Sequence, residues 1–307
     1  MDIRSFKRGE ISLQQIRVLV LGAGYSGRMI ARTLVGQGAD VVGTNRSEEK
    51  AALLMKHGIR PEVYAGDGFT PALRAILLEI THLIVSIAPD DVGDPVLNDL
   101  RAAGLAALPM LKGIVYLSTV GVYGDHGGAW IDETAECRPT SRRSNLRLEA
   151  EKDWQHFADG AGVGLTILRL SGIYGPGRNA FANLRNGTAK RIIKPGQVFN
   201  RIHVEDVAAA TCHLLSSGQT GLFNVTDNEP APPQDVVAFA ASLMGVDAPP
   251  EIPFDQAQMT PMGRSFYEDC KRVSNRKLAE SGYKLLYPSY REAMRAMWDR
   301  DCWQVLT

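Results

Sequence analysis

The first half of the chain alternates short apolar runs with segments in which apolar residues recur at helical spacing. The apolar runs predict six strands, at residues 17–22, 40–43, 62–65, 82–87, 113–118 and 165–170. Helical spacing predicts the helices between them, at 26–37, 48–57, 71–79, 94–108 and 144–158. Because strands that alternate with helices are typical of βαβ units, we expect an α/β fold with a doubly wound parallel sheet, the Rossmann fold.

This regular alternation ends near residue 170, and proline becomes frequent in the second half. The change predicts a smaller, less regular C-terminal domain. A helix at 204–216 and a strand at 222–225 are expected to return to the first domain. The predicted Rossmann domain therefore comprises residues 1–170 with 204–227, and the smaller domain comprises 171–203 with 228–307.

Composition and charge exclude several classes of protein. The chain has 307 residues, 45% of them hydrophobic, with 34 basic against 34 acidic side chains. This composition is that of an ordinary globule, and the zero net charge argues against a nucleic-acid partner. The longest apolar stretch is too short to span a membrane, so no membrane partner is expected. Residues 1–17 are interpreted as a polar extension and not as a secretory signal.

The four cysteines are far apart in the sequence and form no Cys-x-x-Cys pair: Cys137, Cys212, Cys270 and Cys302. This spacing argues against a metal site or a redox dithiol. Free thiols are typical of a reducing compartment, so we expect a cytoplasmic protein without a bound metal.

A glycine-rich loop lies between the first predicted strand and the first predicted helix. It reads Gly22-Ala23-Gly24-Tyr25-Ser26-Gly27 and matches G-x-G-x-x-G in the strand–turn–helix context that this motif needs. In such loops Gly22 permits the tight turn, Gly24 lets a pyrophosphate approach the backbone, and Gly27 allows close packing of helix on strand. The helix N-terminus, at Tyr25 and Ser26, offers N–H groups to phosphates. The sequence thus predicts dinucleotide binding.

The end of the second strand indicates which dinucleotide is bound. An NAD site usually has an acidic residue here, which accepts from the ribose 2′-hydroxyl. This chain has Thr44-Asn45-Arg46-Ser47 instead. Arg46 could pair with a 2′-phosphate, and its neighbours could donate further hydrogen bonds. The sequence therefore favours NADP(H) over NAD(H), with a merely solvated Arg46 as the alternative.

Three further residues lie at or just beyond the ends of predicted strands and are candidates for cofactor binding: Asp67, Ser86 and Ala88. The carboxyl ends of parallel strands face the ligand crevice in this class of fold. Asp67 could accept from an adenine amino group, and a turn-stabilising role is its alternative.

Five segments, in this order, resemble the extended short-chain dehydrogenase/reductase family, specifically the NAD-dependent epimerase/dehydratase group and its atypical members. They are 18–27 (VLVLGAGYSG), 115–124 (VYLSTVGVYG), 168–178 (LRLSGIYGPGR), 201–207 (RIHVEDV) and 272–282 (RVSNRKLAESG). The resemblance implies that the smaller domain binds substrate, often a nucleotide sugar or a related metabolite. It also implies that Ser171 and Ile173 line the cofactor and that Tyr174, Arg178 and Arg201 contact the substrate.

The catalytic residues depart from the family pattern. The family combines a Ser or Thr, matched by Thr119, with Tyr-x-x-x-Lys, but the Tyr and Lys positions are occupied here by Arg143 and Arg147. Arginine keeps its proton at ordinary pH and is a poor general acid or base. Tyr123 is a candidate replacement for the phenol, with packing as its alternative. The two arginines could attract an anionic group, or they could form a solvated face that pairs with Glu151.

Two hypotheses follow from these observations. The first is an NADP(H)-dependent oxidoreductase or epimerase that acts on a small polar metabolite, with an anionic substrate favoured by the arginines. The second is a non-catalytic NADP(H)-binding sensor or scaffold, because the standard catalytic residues are absent. We also expect a homodimer.

Overall fold

The computed structural model describes residues 12–304 of the chain. Residues 1–11 of the predicted polar extension lie outside this range. The chain divides into two compact units. The first unit comprises Met1–Thr119, Asn145–Arg169 and Val207–Phe223, and the second comprises Val120–Ser144, Leu170–Asp206 and Asn224–Thr307. The domain boundaries predicted from the sequence stay a prediction.

The strands include all six that the apolar runs predict in the first half of the chain. They are β1 (Arg17–Leu21), β2 (Asp40–Asn45), β3 (Arg60–Val63), β4 (His82–Val85), β5 (Gly113–Thr119), β6 (Trp130–Ile131), β7 (Gly164–Leu170), β8 (Gly172–Tyr174), β9 (Arg191–Ile193), β10 (Arg201–His203), β11 (Gly221–Val225), β12 (Glu251–Pro253) and β13 (Arg272–Val273).

The described α-helices include those that the helical spacing predicts in the first half, where helices and strands alternate. They are α1 (Tyr25–Gly36), α2 (Glu48–Ala52), α3 (Pro71–Leu77), α4 (Pro95–Ala103), α5 (Arg142–Ala161), α6 (Ala180–Arg185), α7 (Val204–Ser216), α8 (Pro233–Met244), α9 (Pro261–Ser265), α10 (Arg276–Glu280) and α11 (Tyr290–Asp299). Two predicted helices are shorter than expected. A 3-10 helix, Leu53–His57, replaces the second half of one, and α4 ends before Gly104, whose φ of 77° breaks the helix.

Seven strands form one sheet in the order β11-β7-β5-β4-β1-β2-β3. The pairs β1–β2, β1–β4, β2–β3 and β4–β5 are parallel. The chain runs outward from β1 to β3 and then crosses back to β4 on the other side of β1. This reversal of direction is the switch point at which α/β sheets of this kind bind ligands, and the predicted doubly wound Rossmann fold is confirmed.

The core of the first unit forms between the sheet and its helices. Leu19, Leu21, Leu83 and Val85 of the central strands are fully buried in it. Trp154 of α5 packs in the same cluster, and its indole N–H donates to the carboxylate of Asp94 (3.0 Å). This contact fixes α5 close to the N-terminus of α4.

The second unit contains three short parallel strand pairs, β8–β10, β9–β12 and β6–β13. Its described hydrophobic residues include three separate clusters. The largest joins α6, α8 and α11 through Phe181, Ala240 and Met294. Asp206 organises the C-terminal region, because its carboxylate accepts from the Tyr283 hydroxyl (2.7 Å) and from backbone N–H groups of Leu286 and Tyr287.

Within residues 12–304, no helix has both the length and the apolar character that crossing a bilayer requires. None of the four cysteines forms a disulfide in this part of the chain. The same part of the chain contains no group of three or more His, Cys, Asp or Glu side chains arranged to hold a metal ion.

Candidate functional site

The glycine loop has the geometry that its motif predicts. Gly22 has a φ of 92°, and a side chain there would lie 2.8 Å from Ile87. A Cβ at Gly27 would lie 2.3 Å from the Gly22 carbonyl oxygen. Gly24 differs from both, because it is exposed and no atom lies within 4 Å of the Cβ position. Two glycines thus permit tight packing, and the third leaves the start of α1 accessible.

Helix α1 begins directly after this open position. Gly24 is its N-cap and supplies no side-chain capping bond. The first intrahelical bond to the cap is that from the Arg28 N–H to the Gly24 carbonyl oxygen (2.9 Å). The N-terminus of a helix carries backbone N–H groups without intrahelical acceptors and the positive end of the helix dipole. The predicted loop residues Tyr25 and Ser26 occupy this first turn.

The end of β2 lies against the glycine loop. Thr44 is buried, and its hydroxyl accepts from the Gly22 N–H (3.0 Å). The Asn45 amide donates to the carbonyl oxygens of Ala23 and Lys50 (3.3 Å each). Arg46 is exposed and forms no ion pair with any residue of the described chain. Of the four side chains predicted to meet a 2′-phosphate, Thr44 and Asn45 are thus bound to the loop, whereas Arg46 and Ser47 are exposed.

The other predicted cofactor residues of the first unit lie at the same edge of the sheet. Ser86 follows β4, and its N–H donates to the Leu21 carbonyl oxygen at the end of β1 (2.9 Å). Ala88 is exposed. Asp67 is also exposed, between Gly66 and Gly68, in the loop that follows β3. The structure thus places all three after strand ends, as predicted.

Arg147, at the family's lysine position, is anchored at the ends of β4 and β5. Its Nη1 donates to the Leu117 carbonyl oxygen (2.9 Å), the Tyr116 hydroxyl (3.0 Å) and the Ile87 carbonyl oxygen (3.4 Å). Ile87 is also the residue that contacts the Gly22 position. The structure therefore brings Arg147 to the same crevice as the glycine loop.

Sequence reasoning missed Tyr116, the phenol that Arg147 contacts. It lies within the apolar run of β5, a pattern that predicts packing and gives no signal of a polar role. Its side chain is fully buried, and burial raises the pKa of its hydroxyl. A protonated, inaccessible phenol does not replace the missing catalytic tyrosine.

Glu151 does not pair with Arg147, which corrects one of the alternatives considered for the arginines. Its carboxylate binds Arg169 of β7 in a bidentate pair, with a shortest N–O distance of 2.7 Å. The Ser118 hydroxyl donates to the same carboxylate. This buried group connects α5 to β5 and β7, which leaves the guanidinium of Arg147 to its own three acceptors. Thr119, half-buried, ends β5 next to Ser118.

In the second unit, Tyr123 is a packing residue. Its ring has no solvent exposure, and its hydroxyl donates to Asn224 Oδ1 (2.8 Å). These surroundings favour the packing role over that of a substitute catalytic phenol. Arg143 is exposed, and its guanidinium lies over the ring of Phe266, 5.2 Å from the centroid. Phe266 is itself exposed, so this cation–π pair lies at the surface of the unit.

The residues implied to line cofactor and substrate lie on or beside β8 and β10. Ser171 is buried, with its hydroxyl donating to the Val225 carbonyl oxygen (3.3 Å), and Ile173 pairs with Ile202. Arg201 Nη1 donates to the carbonyl oxygens of Phe199 and Ala231 (2.9 Å each). Burial lowers the pKa of Arg201.

Two of the substrate candidates differ in accessibility. The Tyr174 hydroxyl is buried without a hydrogen-bond partner in the described residues, and burial raises its pKa. Arg178, four residues later, is exposed. Tyr174 packs edge-on against His203, with the ring centroids 5.3 Å apart. Burial lowers the pKa of His203 to about 4, so this imidazole is neutral and structural at ordinary pH.

Comparison with known proteins gives the same class as the fold and the glycine loop. Residues 95–226 match the family model described as the NAD dependent epimerase/dehydratase family. The chain belongs to the NAD-dependent epimerase/dehydratase family, as the five sequence segments indicate.

Relatives extend this similarity over most of the chain. A structure of a functionally unknown conserved protein from Silicibacter pomeroyi DSS is 42% identical, with a TM-score of 0.84, over 94% of this chain and 99% of that one. Protein YeeZ of Escherichia coli (strain K12) is 28% identical over 89% of this chain and 96% of its own length. The UDP-glucose 4-epimerase of Thermus thermophilus, solved in complex with NAD, shares the fold at 22% identity and a TM-score of 0.73, over 92% of this chain and 98% of that one.

Proposed function

We propose that the first unit binds a nicotinamide dinucleotide and prefers NADP(H) to NAD(H). The observation that carries this proposal is the open position at Gly24, which leaves the N-terminus of α1 accessible at the switch point of the sheet. The NAD in the Thermus epimerase structure supports the class of cofactor. The preference for NADP(H) rests on Arg46, an exposed cation where NAD sites usually have an acid.

The residues present fit such a cofactor. The Gly24 backbone would accommodate the pyrophosphate, Arg46 would bind the 2′-phosphate, and Arg147 would donate to the nicotinamide ribose. When bound, the cofactor supplies hydride transfer. The side chain of Arg147 contributes a fixed positive charge and hydrogen-bond donors. It does not exchange protons as a tyrosine–lysine pair does, because a guanidinium keeps its proton.

The proposed activity is that of an epimerase/dehydratase-like oxidoreductase acting on a small polar metabolite, with nucleotide sugars as one candidate class. Family membership supports the type of reaction. Arg143 and Arg178, both exposed cations of the second unit, favour an anionic substrate. Thr119 is the proposed hydrogen-bonding group at the end of β5. Within residues 12–304 none of the four cysteines forms a disulfide, which supports a cytoplasmic location, and the homodimer stays a prediction.

One observation favours the alternative, a non-catalytic NADP(H) sensor or scaffold. The Tyr position holds Arg143, whereas the phenol beside Arg147 is the buried Tyr116. A positioned acid or base typically contributes a factor of about 10²–10⁴ to a rate. The two functions thus share cofactor binding and differ in turnover.

Fluorescence titration with NADPH and NADH tests the proposed cofactor. We expect tighter binding of NADPH, and we expect Arg46→Ala to weaken NADPH by about tenfold or more while leaving NADH unchanged. Lys112→Ala is the matched control, because this exposed cation precedes β5 at the opposite edge of the sheet. Equal affinities for the two cofactors in the wild type contradict the preference for NADP(H).

Turnover assays separate the enzyme from the sensor. The wild type is incubated with NADP⁺ or NADPH and a panel of nucleotide sugars and small hydroxy acids, beside Thr119→Ala and Arg143→Ala. Turnover that both variants reduce supports the enzyme. Two results together support the sensor. The wild type binds the cofactor but turns over no panel member, and an anion raises the melting temperature in the wild type but not in Arg143→Ala.

A further inference from the structure

The last residues of β2 direct their polar groups at the glycine loop. Thr44 is only 1% exposed, and it makes two hydrogen bonds to neighbouring residues of the loop. Its hydroxyl accepts from the Gly22 N–H (3.0 Å), and its carbonyl oxygen accepts from the Ala23 N–H (2.7 Å). A threonine hydroxyl at this position therefore satisfies a backbone donor that the sharp turn at Gly22 leaves without a strand partner.

Asn45, the next residue, also binds the loop, and it connects the loop to α2. Its side-chain Nδ2 donates to the Ala23 carbonyl oxygen and to the Lys50 carbonyl oxygen, both at 3.3 Å. Both partners are acceptors, so only a donor fits between them. A carboxylate in this place would face two carbonyl oxygens.

The packing beneath these contacts allows the close approach. Gly43 precedes Thr44, and a Cβ on it would lie 2.9 Å from Ile59 and 3.2 Å from the Ala23 side chain. A larger residue would push β2 away from the loop. The sequence Gly43-Thr44-Asn45 thus brings a small residue, an acceptor and a donor against the loop in succession.

We propose that Thr44 and Asn45 are positioning residues, here called the β2 clamp, which hold residues 22–24 in the shape that receives a pyrophosphate. The clamp also determines specificity, because Asn45 excludes a carboxylate from the end of β2. This inference rests on the proposed dinucleotide site and adds a consequence to it. Specificity for NAD(H) cannot be introduced by the single change Asn45→Asp, although an acid at the end of this strand is the usual NAD determinant.

Thr44→Val and Thr44→Ser test the positioning role. Valine preserves the shape and removes the hydroxyl, whereas serine retains it. Thr44→Val is expected to raise the Kd for NADPH about tenfold, and amide exchange of Gly22, followed by NMR without ligand, is expected to accelerate by a similar factor. Thr44→Ser should restore both values to within about threefold of the wild type. Unchanged Gly22 exchange in a folded Thr44→Val protein overturns the positioning role.

Asn45→Asp and Asn45→Ala test the exclusion of an acid. Both variants lose the donor, but only aspartate places a negative charge between the two carbonyl oxygens. We expect NADH to bind Asn45→Asp more weakly than Asn45→Ala, by about tenfold, and the melting temperature of Asn45→Asp to be the lower of the two. Tighter NADH binding by Asn45→Asp than by the wild type overturns the inference.

These outcomes are distinguishable from a failure of the proposed function. If the wild type binds no dinucleotide, the proposed cofactor site is wrong. The Gly22 exchange rates and the order of the two melting temperatures still decide whether the clamp holds the loop.

Discussion

The two units differ in how their buried polar side chains are satisfied. In the first unit the buried carboxylates have partners, because Glu151 pairs with Arg169 and Asp94 accepts from the Trp154 indole, whereas Gly24 and Arg46 of the candidate cofactor site are exposed. In the described chain, the buried side-chain polar atoms without a hydrogen-bond partner all belong to the second unit: Tyr174 Oη, Arg191 Nε, His203 Nε2, Asp227 Oδ2 and Tyr290 Oη.

The polar groups of the glycine loop and those of the segment around residues 201–206 therefore serve different purposes. The glycine loop and its partners use hydrogen bonds to hold backbone groups open toward a ligand. The segment that contains Arg201, His203 and Asp206 uses its polar groups to hold loops together, and it leaves some of them without partners. Each unpartnered buried group costs about 1–3 kcal/mol of folding free energy. We therefore expect the replacement of a buried polar side chain to destabilise the protein in the first unit. At the unpartnered positions of the second unit, such a replacement should be tolerated.

The largest effect is expected at the buried ion pair of the first unit. Glu151→Gln removes one charge and leaves Arg169 buried, with side-chain exposures in the pair of 6% and 7%. We expect the free energy of unfolding to fall by about 3–5 kcal/mol, measured by urea denaturation.

The exposed pair Lys152–Glu149 on the same helix is the control for this prediction. Its side chains are 58% and 67% exposed, so Lys152→Gln should change stability by less than about 0.5 kcal/mol. Equal effects of Glu151→Gln and Lys152→Gln would show that the first unit does not depend on its buried charges.

The next effect concerns binding and not stability. Gly24→Val places a side chain in the open space that the pyrophosphate needs, and it should weaken NADPH by at least about 100-fold. The fold should be unaffected, because the φ of Gly24 is negative (−76°) and a Cβ there would meet no atom within 4 Å outside the adjacent residues. Gly36→Ala, at an equally open position in α1, should bind NADPH normally. Normal NADPH binding by Gly24→Val would show that the glycine loop does not receive the pyrophosphate. The first unit would then not differ from the second in holding backbone groups open toward a ligand.

Asp227, one of the unpartnered buried groups of the second unit, should make the stability of the protein depend on pH. Burial raises the pKa of its carboxyl to about 7, well above the ordinary 3.8. The native state then binds a proton more tightly than the unfolded state, so this group lowers stability as the pH rises from about 4 to about 7. Asp227→Asn should stabilise the protein by about 2 kcal/mol at pH 8 and have little effect at pH 4.

Melting temperatures of wild type and Asp227→Asn at the two pH values check this prediction. Asparagine retains an acceptor for the Glu229 N–H, so the local turn is preserved. A loss of stability at pH 8 would indicate that the carboxylate is paired in solution, in conflict with the unpartnered Oδ2.

The sequence predicted the first unit better than the second, for a physical reason. Buried parallel strands are continuous apolar runs, and a glycine loop needs specific residues at fixed spacing, so both are local patterns. The loop glycines and Arg46 could therefore be proposed as cofactor contacts before the structure was known. The polar partner of Arg147 could not be assigned in this way, because Tyr116 lies in the apolar run of β5 and that pattern predicts a core residue.

Contacts between distant segments determine the roles that the sequence left open in both units. Tyr123 of the second unit is a packing residue because Asn224, about 100 positions away, accepts a hydrogen bond from its hydroxyl. Glu151 of the first unit pairs with Arg169 and not with Arg147 because β7 places a guanidinium beside it. Neither contact can be inferred from the spacing of residues along one helix or from the family resemblance. The sequence could therefore not assign these two roles.

The smallest effect is expected at Tyr174, and it is the sharpest test of the contrast. Its buried hydroxyl has no partner in the described chain, whereas that of Tyr123, in the same unit, donates to Asn224. Tyr174→Phe removes an unsatisfied group, so it should leave the free energy of unfolding unchanged or raise it by up to about 1 kcal/mol. Tyr123→Phe should lower it by about 1–2 kcal/mol, since Asn224 then loses a buried hydrogen bond. Denaturation of both variants under one set of conditions decides the matter. A Tyr174→Phe protein that is destabilised as much as Tyr123→Phe would mean that the Tyr174 hydroxyl is bonded in solution, and that the second unit satisfies its buried groups as fully as the first.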